Sequence, residues 1–166
     1  EAGDVLITGY AHCLHLENQY LIGVKLSDIA EQVVEKHEIA KRLKHENLSI
    51  NAEIYESVVS ALLGYKSDSL ESGVAEYDRD ELAQLAQRDK SSHATYYIYK
   101  MQLQYMSGNY RDALTEAQKV KSLTGSIIGF LISVEYNFYY SLIITAVFNE
   151  LSYKEQRRYM AILKKN

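Results

Sequence analysis

The chain has 166 residues, 47% apolar and 24% charged, which suffices for one packed core and is ordinary for a globular domain. Its net charge of -4 excludes the positive field that nucleic-acid binding needs, and a single cysteine excludes an internal disulfide framework. There are 15 tyrosines and no proline, so little interrupts helices except glycine, and the composition favours an all-α protein.

The first helix is predicted over 4–21. It carries His12, Cys13, His15 and Glu17, with the two histidines on one face. A metal site would need further ligands from elsewhere. There is no His-Glu-x-x-His, and no Glu stands three residues before a His, as a helical di-iron site requires. The cluster therefore reads as a half-buried histidine and a core cysteine, with no metal and no cofactor expected. The second helix, 26–44, gathers Leu26, Ile29, Ala30, Val33, Val34, His37, Ala40 and Leu43 on one face. Its Lys36–Lys44 stretch, interrupted by Glu38 and apolar residues, reads as a solvated face. The third, 48–63, has the stripe Ile50, Ile54, Tyr55, Val58, Val59 and Leu62. A loop rich in Ser, Asp and Gly follows over 65–77.

The fourth helix is expected over 79–89, with Asp78 and Glu81 at capping-box spacing, and the fifth over 93–106. Gly108 then marks a corner, where a left-handed backbone costs glycine little, and Asn109 is placed to cap the sixth helix, 110–123. That helix turns Tyr110, Ala113, Leu114, Ala117 and Val120 to one side. A phosphate-cradling loop at Gly108 is excluded, since no second glycine and no Gly-Lys-Ser/Thr accompany it. The seventh helix, 127–149, is apolar nearly all round from Ile127 to Phe148. Glu135 and Asn137 at its middle, and the lack of Lys or Arg hard against its ends, argue for burial between neighbouring hairpins rather than a membrane span. Tyr136, Tyr139 and Tyr140 are then core, with hydroxyls expected to meet Glu135 or Asn137. The eighth helix, 153–164, opens on a Ser152–Glu155 capping box.

Corners fall near residues 23, 64, 108 and 150, spaced 41, 44 and 42 residues apart. Eight helices in about four antiparallel hairpins at this spacing predict a right-handed helical solenoid. Around the third corner, Tyr105, Gly108, Tyr110, Ala113 and Ala117 resemble the tetratricopeptide repeat; the other repeats are longer than the usual ~34 residues and lack its closing proline. More widely, AGD near the start, YKMQLQYMSGNYRDAL and EYNFYYSLIITAVF are similar to the helical middle region of large bacterial signalling proteins. Those proteins join a Ser/Thr kinase domain and an AAA-type ATPase domain to such a region, followed by a GAF domain and a sensor histidine kinase. The resemblance implies a regulatory or scaffolding segment whose catalytic partners lie in flanking domains, so no catalytic residue is carried onto this chain.

The chain starts on Glu, ends in the helical-looking YMAILKKN and has no charged-then-apolar leader. On this reading, 1–166 is a single helical-repeat domain from a larger cytoplasmic protein. The first helix of each tetratricopeptide pair lines a concave face. By that analogy Tyr97, Lys100 and Gln104 of the fifth helix, with Asn137 and Tyr140 of the seventh, form a groove for a protein or peptide. Expected partners are neighbouring domains of the same chain or a second copy, and not nucleic acid or membrane. The expected function is non-enzymatic interaction and coupling. The alternatives are a small-molecule-sensing domain with its ligand among Tyr96–Tyr140, and a helical metal-dependent hydrolase.

Overall fold

The computed structural model describes residues 5–42, 44–64 and 80–164. The loop expected over 65–77 and the Asp78 cap lie outside the described residues. Within them the chain is all-helical, with no strand. The helices are α1 Val5–Leu21, α2 Leu26–Arg42, α3 Glu46–Leu63, α4 Asp80–Ala86, α5 Lys90–Met106, α6 Tyr110–Val120, α7 Ile132–Val147 and α8 Tyr153–Leu163. Short 3-10 turns at Thr124–Ser126 and Phe148–Glu150 flank α7.

Local chemistry sets most of these ends. Gly108 has φ +82°; its N–H donates to Tyr105 O at 3.0 Å, and the Asn109 N–H donates to Gln104 O at 2.9 Å. This bond pair closes the last turn of α5, and its left-handed residue strains any side chain but glycine's. The α1–α2 corner repeats it, with Gly23 N–H on Tyr20 O and Val24 N–H on Gln19 O. Ser152 and Glu155 form the expected capping box on α8. Asn109 stands at the N-cap of α6 but does not cap it, because its amide Nδ2 donates instead to Gln104 Oε1 at 3.0 Å.

The seventh helix is shorter than expected, starting at Ile132 rather than 127. Gly129, at φ +88°, turns the backbone out of helical geometry, and a 3-10 turn precedes it. Nor is this segment covered on all sides. Val134 and Phe138 are 62% and 56% exposed, since α7 packs on α1, α5 and α6 along one side only. No helix among the described residues is long and apolar enough to cross a membrane.

Consecutive helices pack on one another from α1 to α7, and α1 also touches α3, α3 touches α5, and α5 touches α7. The odd-numbered helices thus form an inner row, and the row curls until α1 meets α7. Tyrosines fill its centre. Tyr99, fully buried, meets Tyr20 and Tyr55 edge-on at 5.3 and 5.6 Å, contacts that add about 0.5–1.5 kcal/mol each beyond their burial. Tyr105 joins the hairpin to α7 through Tyr110 at 5.4 Å and Tyr139 at 5.7 Å. Helix α8 is held mainly by buried Tyr159, whose hydroxyl accepts from Gln118 Nε2 at 2.6 Å. Lys36 departs from the solvated face expected of it: its stem is buried and its ammonium donates to Gln32 Oε1.

Candidate functional site

On α1, Tyr10, Cys13 and Glu17 recur at three- and four-residue spacing and share one face. That face is turned to Asn51 and Tyr55, one turn apart on α3, and to Ser91 and Thr95, one turn apart on α5. Phe130, in the segment that Gly129 bends out of the helix, closes the fourth side. Together they enclose a cavity of about 290 Å³ in the inner row. Its rim is apolar, since Tyr10, Leu14 and Phe130 remain 41%, 38% and 42% exposed.

Glu17 is the chemical centre of this cavity. Its side chain is buried; Oε2 accepts from Tyr55 Oη at 2.8 Å, and Oε1 accepts from the Ile132 backbone N–H at 3.2 Å. The carboxyl of α1 therefore ties α3 to the first residue of α7, where helix geometry leaves the N–H without an internal partner. Burial raises its proton affinity above the ordinary carboxyl value, and the two hydrogen bonds oppose that rise. Tyr55 is held far above a free phenol by burial and by the adjacent carboxyl. Burial likewise pushes the Cys13 thiol up to about 11, with Lys36 opposing, so the sulfur is a poor nucleophile at neutral pH. Its Sγ points at Leu48 O, 4.0 Å away.

A second polar strand crosses the same row. Tyr20 Oη donates to Gln102 Oε1 at 3.3 Å, and Gln102 Nε2 donates to Glu135 Oε2 at 3.1 Å, linking α1, α5 and α7. A larger, more open cavity of about 650 Å³ lies between the end of α6, α7 and α8, with Lys121, Ser133, Asn137 and Tyr140 among its walls.

The five groove residues named from sequence are divided. Asn137 and Tyr140 line the larger cavity. Tyr97 lies under the Lys119 ammonium of α6, 4.8 Å from the ring centre. Lys100 is buried with Nζ 3.5 Å from Glu116 Oε1, also on α6. Gln104 is engaged by Asn109 at the corner. The stripe 97–100–104 thus faces α6, and the inner-row face of α5 is the neighbouring stripe of Ser91, Thr95, Tyr99 and Gln102. The tyrosine hydroxyls of α7 also differ from expectation, for Tyr136 Oη donates to Ala117 O at 3.1 Å rather than meeting Glu135 or Asn137.

Sequence reasoning weighed Glu17 only within the His12–Cys13–His15 cluster, set aside as a metal site, and placed Tyr55 in a core stripe, naming neither as a binding residue. The usable signal was the spacing Tyr10, Cys13, Glu17, Tyr20, an amphipathic stripe that carries an acid where an apolar residue belongs. Of the histidines beside it, His12 is partly buried and His15 exposed, and among the described residues no group of three His, Cys, Asp or Glu could hold a metal ion. His37 instead joins α2 to α3, with Nδ1 2.6 Å from Glu56 Oε2. No protein-family model, curated protein or solved structure matches the chain.

Proposed function

We propose that the chain is a tetratricopeptide-like interaction and coupling domain of a multidomain bacterial signalling kinase, built as about four helical hairpins. The observation that carries this reading is the packing order. Consecutive helices pack from α1 to α7, and α1 touches α3, α3 touches α5 and α5 touches α7, as stacked hairpins do; beyond that nearest-neighbour order, α1 is also tied through Glu17 to the start of α7. A force or contact at either end of such a stack reaches the other through the inner row. The apolar rim of Tyr10, Leu14 and Phe130 lies on that row and is the natural contact for a neighbouring domain or peptide. The domain itself is read as non-catalytic, its role being to relay state between flanking ATPase and kinase modules in the cytoplasm.

The test is made in the full-length protein that carries this chain. Leu14→Glu and Phe130→Glu change exposed rim residues and should leave helicity intact. Phosphoryl-transfer output that responds to signal in the parent should lose that response in the double variant. An unaltered response, with binding between the domains also unaltered, would remove the proposal.

The cavity at Glu17 favours a second reading, a small-molecule-sensing domain. A pocket in the inner row, with polar groups converging on an otherwise apolar space, has the form of a ligand site at the small end of the usual size range.

A further inference from the structure

The structure assigns a ligand chemistry to the Glu17 cavity: a compact alkylammonium, with its charge on the Glu17 carboxylate and its apolar body against Tyr10, Tyr55 and Phe130. This rests on the sensing reading above and names the ligand class for that site.

Four observations carry it. First, the acid is buried with no cation on it. Tyr55 and the Ile132 N–H each give one hydrogen bond, and among the described residues no Lys or Arg pairs with Glu17. Lys36 of α2 bears on the Cys13 thiol, and its ammonium is engaged by Gln32. A carboxylate accepts about four hydrogen bonds, so two of its acceptor positions remain. Second, three aromatic rings border the space that Glu17 lines, and ring faces attract organic cations. Third, Asn51, Ser91 and Thr95 add neutral groups able to receive the remaining ammonium protons. Fourth, about 290 Å³ corresponds to roughly ten water volumes, room enough for a short amine. Burial keeps the carboxyl's proton affinity high, and an ammonium beside it would remove that penalty.

The amine is either a free metabolite-sized alkylammonium or the lysyl side chain of a partner, and both present the same group. The experiment titrates the 166-residue chain by calorimetry with n-butylammonium, its neutral isostere n-butanol and the anion butyrate. A parallel titration uses a short lysine-containing peptide and the same peptide with that lysine acetylated. The expected result is binding of n-butylammonium or of the lysine peptide, at least about tenfold tighter than the alcohol or the acetylated peptide, and no binding of butyrate. Binding of the free amine identifies a small ligand; binding confined to the peptide identifies a partner's lysine.

Glu17→Gln should abolish the preference for cation over alcohol. Should that variant fail to fold, Phe130→Leu at the exposed rim should weaken the amine severalfold without loss of helicity. Equal binding of n-butylammonium and n-butanol overturns the cation assignment but leaves a ligand pocket. No binding of any probe at millimolar concentration overturns both the assignment and the sensing reading. The interaction reading is judged separately, by binding between the domains, because Leu14 and Phe130 border the cavity as well as the rim and a lost signalling response alone would fit either reading.

Discussion

Replacing Glu17 by Gln should remove the pH dependence that this one side chain imposes on stability. Its folded-state proton affinity is raised above the ordinary carboxyl value of 4.5, chiefly by burial. A carboxyl of this kind binds its proton more tightly folded than unfolded. Its contribution is fully present below about pH 4.5 and is lost as pH rises through the folded value. Each unit of that rise corresponds to about 1.4 kcal/mol. Gln can retain both contacts: its oxygen accepts from the Ile132 N–H, and its amide donates to the Tyr55 oxygen, whose hydroxyl turns to receive it. Glu17→Gln should therefore be near neutral at pH 4 and should gain on the parent as pH rises to 8. Glu17→Ala, by contrast, leaves the Tyr55 hydroxyl and the Ile132 N–H without their acceptor at about 1–3 kcal/mol each, and should destabilise by about 2 kcal/mol or more at pH 4, a cost that shrinks as pH rises because Ala, like Gln, carries no carboxylate to desolvate. Urea unfolding followed by far-UV circular dichroism across pH 4–8 measures both variants against the parent, and the other carboxylates cancel in the difference. A Gln-minus-parent difference that is flat with pH, or that falls as pH rises, would refute the assignment of Glu17 as a buried, destabilised carboxylate.

Three further outcomes test the surrounding structure. Gly108→Ala should destabilise by about 1–2 kcal/mol through its φ of +82° alone, since nothing lies within 4 Å of an added Cβ; Gly125→Ala, equally open and without positive φ, should change urea stability by less than about 0.5 kcal/mol. Ser152→Ala removes one half of the capping box and should cost about 1 kcal/mol, read as faster amide exchange over 153–156 with α5 and α6 unaffected. Cys13, its thiol raised from 9.0 to about 11, should be alkylated at pH 8 about a hundredfold more slowly folded than unfolded, and equal rates by mass spectrometry would contradict its burial against α3.

Helix order and most helix ends were legible in the sequence because they are decided within a few residues. Gly108 and Gly23 close corners through their own backbone bonds, Ser152 finds Glu155 three residues on, and absence of proline lets each segment run. Gly129 carried the same kind of signal, and the apolar run around it concealed it. The face that each helix presents was a tertiary matter. Helix α5 is buried at nearly every position from Ser92 to Leu103, being surrounded by α1, α3, α4, α6 and α7, so it has no polar side by which to orient it. Whether 97–100–104 or 91–95–102 looks inward follows from where α6 docks, which apolar spacing does not encode. The Glu17 site lies wholly on that side of the division. Its donors are 38 and 115 residues away along the chain, and only the curl of the inner row, bringing α1 against α7, makes a lone acid in an apolar stripe into the floor of a cavity.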